Sequence, residues 1–284
     1  VCSSVYQATA PNEWNVKKHI GNIKKKALAL GVPYVTFSTI TLLLKNVFAT
    51  DVNNAAPPFL KTLLIEPIAP YWYLYTLFLL FCLIPPATGK EKRKTLVSMV
   101  VIACFIKITY VWWLADKAIP DLVAKVMASA VWFCIGMLIT ATPFKKSKLA
   151  DGTAAGMVIL ACILSYFVYS TPTDNAKAQF IFASIFVLVI TYFFQSKEQY
   201  KTDGLVSHSA KYFMPVYVLH TIVAAGVRTV LLKIGISSGI LHFMIGFSVS
   251  VFVPIVIYII AEKQWWLLFW FEPIKAMKLR NQKK

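Results

Sequence analysis

The sequence predicts an all-α fold: a polytopic bundle of about eight transmembrane helices with a C-terminal interfacial helix. Hydrophobic residues make up 58% of the chain and charged residues 14%, against roughly 45–50% and about 25% in soluble domains. The apolar residues form continuous runs, mostly of about 18 residues or more, which is enough to cross a bilayer. These runs lack the strict alternation of a transmembrane barrel, so each span is predicted to be a helix.

The eight predicted spans follow one another with short connections between them. They cover residues 31–49, 70–86, 95–115, 121–142, 153–170, 177–195, 212–234 and 239–261. The longest outer connection is predicted at 50–69. The aromatic segment Gln264–Phe271 is too short to span, and we expect it to lie along the interface as an amphipathic helix.

Basic residues are concentrated in every second connection between the predicted spans. If the N-terminal segment is cytoplasmic, the cytoplasmic connections hold 21 of the 29 Lys and Arg residues and the outer ones hold six. This bias is typical of membrane proteins with basic loops inside. We therefore predict one integral plasma-membrane domain over 1–284. Both ends of this sequence, the basic segment 1–30 and the basic tail 263–284, are predicted to be cytoplasmic.

The net charge of +17 does not indicate nucleic-acid binding, because the basic residues form short clusters between apolar runs rather than one stripe. The lipid bilayer is their expected partner, since anionic headgroups attract Lys and Arg. The cysteines and histidines have no metal-ligand spacing, so we predict no metal site. The sequence also lacks a Gly-rich phosphate loop, which argues against an ATP-driven pump.

Three ionisable residues lie inside predicted spans, where such groups are costly and indicate function. His220 and Arg228 are separated by eight residues, about 12 Å along one helix and about 80° around it, so they can border one cavity. Pro215 is expected to kink that helix. The alternatives are that His220 only bonds a neighbouring helix and that Arg228 extends outward to the interface. Lys107 pairs with a carboxylate, reaches substrate, or lies at a helix end.

Three segments, in order, resemble the integral-membrane acyltransferase 3 family. They are the basic stretch leading into Pro-Tyr at 22–34, the aromatic helix start at 70–77, and the Pro-x-Tyr-x-Leu-His segment at 214–220. The resemblance covers nearly all of the chain. It implies an enzyme that transfers groups other than amino-acyl groups, commonly acetyl from acetyl-CoA. The implied acceptor is a hydroxyl of an envelope polysaccharide, a lipid or a small molecule, and the implied location is the bacterial inner membrane.

The resemblance also implies site residues. We expect His220 to be catalytic, assisting or orienting a proton transfer. Acyl-CoA is the expected co-substrate, with no tightly bound cofactor. The residues expected to contact donor or acceptor are Lys26, Trp72, Tyr75, Lys107, Tyr217 and Arg228.

The sequence departs from the family pattern at two points. Many members carry Arg-x-x-Arg where this chain has Lys26-Ala-Leu-Ala29, so one charge is kept and the guanidinium fork is lost. The family's first two helices, and the histidine on the first that is the implied general base, are expected to be missing from this sequence. A transport domain for a small substrate and a catalytically silent scaffold are therefore the alternatives.

Overall fold

The computed structural model describes residues 2–11, 13, 15–48, 58–114, 117–141, 150–170, 181–187, 189 and 209–282. Every regular element in these residues is a helix, which confirms the predicted all-α class. The labelled helices are α1 Cys2–Ala8, α2 Val16–Val47, α3 Phe59–Leu64, α4 Trp72–Leu83, α5 Lys92–Thr109, α6 Asp121–Ala141, α7 Ala150–Ser170, α8 Phe213–Lys233, α9 Gly239–Glu262, α10 Trp265–Leu268 and α11 Pro273–Gln282. A π-helical turn, Tyr110–Leu114, continues α5, and a 3₁₀ turn, Ala210–Tyr212, precedes α8.

The long apolar helices match the predicted spans. Within the described residues, five helical segments are long and apolar enough to cross a membrane: Val16–Val47, Lys92–Leu114, Asp121–Ala141, Ala210–Lys233 and Gly239–Glu262. Two shorter apolar helical segments, Trp72–Leu83 and Gly156–Tyr166, lie within two further predicted spans. Most of the predicted span 177–195 lies outside the described residues. Within that span, residues 181–187 are described and are helical. The chain is thus a polytopic helical membrane protein.

The chain divides into two compact units. The first contains Val1–Trp14, Pro86–Ile119 and Met127–Gly204; the second contains Asn15–Pro85, Pro120–Val126 and Leu205–Lys284. The single domain over 1–284 stays a prediction.

In the first unit, α1 packs closely on α6. The Gln7 side chain accepts from the Ala87 N–H at 2.9 Å and donates to the Ala87 carbonyl at 2.7 Å. A Cβ at Gly136 would collide with the Ser3 hydroxyl, so this glycine permits the close approach of the two helices. The buried glutamine therefore satisfies both polar groups of one backbone residue after α4.

The second unit is built around α2, which starts earlier than its apolar run. Asn15 caps the helix by accepting from the Lys17 N–H at 2.8 Å. The helix then continues for 32 residues, about 48 Å, which exceeds the roughly 30 Å of a hydrocarbon core. The lysines of the basic segment predicted as 1–30 thus all lie on the first half of the spanning helix, because lysine favours helices.

The described part of the predicted outer loop 50–69 packs against the side of α2 instead of lying beyond its end. The Tyr34 hydroxyl, near the middle of α2, donates to the Leu63 carbonyl at 2.8 Å. Residues 58–69 therefore fold back against the centre of the helix. Backbone outside long helices is tolerated at that depth only where protein or a polar cavity surrounds it. Here the buried Tyr34 hydroxyl supplies a hydrogen-bond donor to the Leu63 carbonyl.

Helices α8 and α9 form an antiparallel hairpin. Pro215 is the third residue of α8, in the first turn, where a backbone N–H has no helical partner. A proline is tolerated near a helix start, and the kink predicted at Pro215 stays a prediction.

The predicted interfacial helix over Gln264–Phe271 is shorter in the structure, which has a single helical turn at Trp265–Leu268 before α11. Leu268, Phe271 and Ala276 are buried in the core of the second unit. The exposed large hydrophobic side chains of this segment are tryptophans: Trp265, Trp266 and Trp270.

Candidate functional site

The His220 ring is held by its own helix. Its Nδ1 lies 2.8 Å from the Tyr217 carbonyl oxygen and 3.1 Å from the Val216 carbonyl oxygen. Carbonyl oxygens only accept, so Nδ1 carries the hydrogen and Nε2 holds the lone pair of the neutral ring. The alternative that His220 bonds a neighbouring helix through Nδ1 is not what the structure shows. The tautomer leaves the ring with one nitrogen suited to accept a proton.

Two grooves in the α8–α9 hairpin meet at His220. The first, of about 500 Å³, runs from His220 toward the start of α8 past Tyr217 and Tyr212. The second, of about 630 Å³, runs the other way and includes Arg228 and His242. His220 lines both grooves, so it stands between two spaces that extend toward opposite ends of the helix pair.

The predicted relation between His220 and Arg228 is confirmed. Both line the second groove, with Ala224 between them on the same face of α8. This matches the spacing of four residues, slightly more than one helical turn.

Tyr217 connects His220 to the start of α4. The Tyr217 hydroxyl donates to the Pro70 carbonyl, and the Tyr217 ring lies 6.1 Å from that of Tyr73 and 6.2 Å from that of His220. Tyr217 thus lines the first groove and anchors it to the α3–α4 connection.

Tyr71 is a residue that sequence reasoning did not single out. Its side chain is fully buried (0% exposed), and its hydroxyl lies 2.9 Å from that of Thr41 and donates to the Val218 carbonyl at 3.0 Å. This tyrosine, which directly precedes α4, therefore joins α2 to α8 at a carbonyl two residues from His220. The aromatic segment 70–77 contained it, but no pattern distinguished it from its neighbours.

Trp72 and Tyr75 lie in the same segment but do not line either groove. The Lys125 ammonium lies 5.1 Å from the Trp72 ring, and the Tyr75 ring packs 5.3 Å from that of Tyr34. Their contacts stabilise helix packing, and their predicted role in substrate binding stays a prediction.

Neither of the two predicted lysines is among the residues that line the grooves. The Lys26 ammonium lies 4.4 Å from the centre of the Phe81 ring on α4, a cation–π geometry. Lys107 belongs to the first unit, where its ammonium lies 5.8 Å from the Tyr110 ring. The structure thus brings His220, Arg228 and Tyr217 together, and the roles expected for Lys26 and Lys107 stay predictions.

A polar network at the end of α9 was also missed, because its members are brought together only by the fold of the segment after α9. Lys275 donates to Glu262 at 2.7 Å and to the Tyr258 hydroxyl at 3.1 Å, and Tyr258 donates to Glu272 at 2.7 Å. Burial of the Lys275 ammonium opposes its charge, but the hydrogen bonds to Glu262 and Tyr258 outweigh it and raise the pKa of Lys275. The network docks α11 onto α9.

Comparison with known proteins identifies the family. The family model of the acyltransferase 3 family, which describes an acyltransferase domain, matches residues 17–259. No curated protein and no solved structure matches the chain. The match covers far more than half of the sequence and includes the α8–α9 hairpin apart from the last residues of α9. The chain is therefore an integral membrane protein that belongs to the acyltransferase 3 family.

Proposed function

We propose that this protein transfers an acyl group, acetyl from acetyl-CoA, to a hydroxyl of a cell-envelope sugar, lipid or other acceptor, and that His220 takes part in the proton transfer. The proposal rests on the position of His220 where the two grooves meet. Donor and acceptor then approach from opposite ends of the hairpin and react at one histidine. The proposed location is the bacterial inner membrane.

The chemistry needs one proton carrier. His220 Nε2 takes the proton of the acceptor hydroxyl while its oxygen attacks the thioester carbonyl carbon. The tetrahedral intermediate then collapses, the C–S bond breaks, and the departing thiolate takes the proton from His220. The products are an ester and CoA. The hydrogen bond from Nδ1 to Tyr217 keeps Nε2 the basic nitrogen throughout.

The first groove suits the donor. Its apolar lining residues, which match the acyl-bearing end of CoA, are Phe213, Val216, Val251 and Ile255, and its polar ones are Ser209, Tyr212, Tyr217 and His220. Lys211 lies beside its entrance on the 3₁₀ turn before α8. Lys24 and Lys278 line pockets bounded by the segment 269–278. A lysine-rich end of this kind attracts the phosphates of CoA, and we propose that it faces the cytoplasm.

Two substitutions at position 220 test the assignment. His220→Asn keeps a donor near the position of Nδ1, and His220→Gln keeps a polar group near that of Nε2; neither side chain can accept a proton at neutral pH. We expect both to lower acetyl-CoA turnover by about 10²–10⁴-fold. The measurement is CoA thiol release by purified protein in nanodiscs, together with transfer of labelled acetyl.

His19→Gln, on the basic half of α2 and outside both grooves, is the matched control and should keep wild-type turnover. Wild-type turnover in both His220 variants would contradict the role of this histidine. Failure of the wild-type protein to release CoA or to accept label would contradict the acyltransferase itself and favour the transport or scaffold alternative.

A further inference from the structure

We propose that the second groove, between His220 and the turn joining α8 to α9, binds an anionic lipid by its phosphate head. The inference adds an acceptor class to the proposed function and rests on it only in that respect, because binding is measured without any acyl donor. Four features of the groove carry it: histidine acceptors, an apolar exposed side, and, among the described residues, an arginine without a counter-ion and a buried hydroxyl without a partner.

The arginine has no acidic partner in its own hairpin. No Asp or Glu occurs between Leu205 and Ala261, a stretch that contains all of α8 and nearly all of α9. Among the described residues, no ion pair involves Arg228. An unpaired guanidinium within a membrane-spanning helix is costly, and a phosphate matches its planar fork of donors.

The histidines offer acceptors. His242 Nε2 lies 2.7 Å from the Ile236 carbonyl oxygen, so Nε2 carries the hydrogen and Nδ1 holds the lone pair of the neutral ring. His220 holds its own lone pair on Nε2, because its Nδ1 faces two carbonyl oxygens. The groove therefore combines an anion-binding group with two nitrogens that accept hydrogen bonds, a set that suits a phosphate carrying a hydroxylated headgroup.

Ser250 supplies an independent sign of a missing ligand. Its side chain lines the groove, is 8% exposed, and its buried hydroxyl has no hydrogen-bond partner among the described residues. Buried hydroxyls are normally hydrogen-bonded, and a polar ligand at this end of the groove would give Ser250 a partner. Because the hairpin turns between α8 and α9, Ser250 is near the level of His220, at the inner end of the groove.

The apolar side of the groove suits hydrocarbon chains. Within the described part of the chain, Phe243 is 68% exposed and Phe247 65% exposed, and both lie on the groove. A Cβ at Gly246, between them, would meet nothing within 4 Å, so space for a ligand extends down to the backbone. A molecule with a charged head alone would leave this surface uncovered.

Native mass spectrometry of the purified full chain tests the proposal directly. The probes are phosphatidylglycerol and phosphatidylcholine with identical acyl chains, and inorganic phosphate as a competitor. We expect one phosphatidylglycerol to be retained preferentially. Arg228→Gln should weaken that retention at least about tenfold, and Arg228→Lys, which keeps the charge but not the fork, should have a smaller effect.

Two further variants make the test specific to the groove. Gly246→Leu fills the space without altering any charge, and it should also abolish the preference. Lys233→Gln removes the same unit charge from the last turn of α8, outside the groove lining, and should keep it. Displacement of the lipid by millimolar phosphate alone would show that the site takes free phosphate and would overturn the lipid assignment.

Equal retention of the two lipids, or unchanged retention in both Arg228→Gln and Gly246→Leu, would overturn the inference. Either result leaves acetyl-CoA turnover and its dependence on His220 untouched, so the two proposals fail separately. Loss of CoA release in the wild-type protein with lipid binding intact would refute only the acceptor role.

Discussion

At the scale of single residues, the sequence reveals an ionisable side chain inside an apolar run. It does not reveal a side chain whose role is to join helices that are distant in sequence. His220 and Arg228 stand out as ionisable residues in an apolar run, and their spacing alone predicted a shared cavity, which the second groove confirms. Tyr71 could not be found in this way, because a tyrosine in an aromatic segment is ordinary there. Its importance lies in contacts with Thr41 and Val218, 30 and 147 residues away.

Tyr71→Phe should destabilise the protein without changing its shape. The variant keeps the buried ring but removes the hydroxyl that joins α2 to α8, for a loss of about 1–2 kcal/mol and a fall of a few degrees in the midpoint of thermal unfolding in detergent. Tyr166→Phe, on a side chain that is 72% exposed, is the control. An unchanged midpoint in Tyr71→Phe would show that the hydroxyl does not carry the junction.

At the scale of helices, hydropathy located the spans but not where they begin or how their connections fold. The first half of α2 is too basic to count as apolar, so the predicted span began at residue 31, whereas the Asn15 cap starts the helix at Val16. The 58–69 segment has no marker of depth in its composition. It lies against the middle of α2 because Tyr34 meets a backbone carbonyl there, a contact that only the tertiary structure specifies.

Docking of α11 onto α9 should depend on Lys275. Lys275→Met removes the donor shared by Glu262 and Tyr258 and should speed proteolysis of the C-terminal segment. Lys278→Met, one turn later and exposed, should not. Equal proteolysis rates for the two variants would contradict the assigned role of the network.

The same contact has a defined pH dependence. Because folding raises the pKa of Lys275, its contribution is fully present below the ordinary lysine pKa of about 10.4 and is lost as pH rises through the higher folded value. In wild-type protein we therefore expect protection of α11 from proteolysis to be constant between pH 6 and 9 (roughly the range below lysine titration). A loss of protection within that range would show that another group controls docking.

At the scale of the whole molecule, composition and loop charge were sufficient for the class. A chain in which apolar runs alternate with basic turns has few alternatives to a helical membrane bundle, and the described helices and the family match agree with it. The start of α2 and the C-terminal segment lie at one end of the second unit, where Lys24 and Trp270 line one pocket. That this lysine-rich end is cytoplasmic stays a prediction from the charge bias.

Acetyl-CoA consumption by sealed proteoliposomes tests the central claim most directly, because it joins the orientation to the chemistry at His220. The donor is added outside, and the fraction of molecules whose C-terminal tail faces outward is measured by protease accessibility. We predict CoA release in proportion to that fraction, and its loss in His220→Asn at every fraction. Release that follows the opposite fraction, or that persists unchanged in His220→Asn, would contradict a reaction at the histidine between the two grooves.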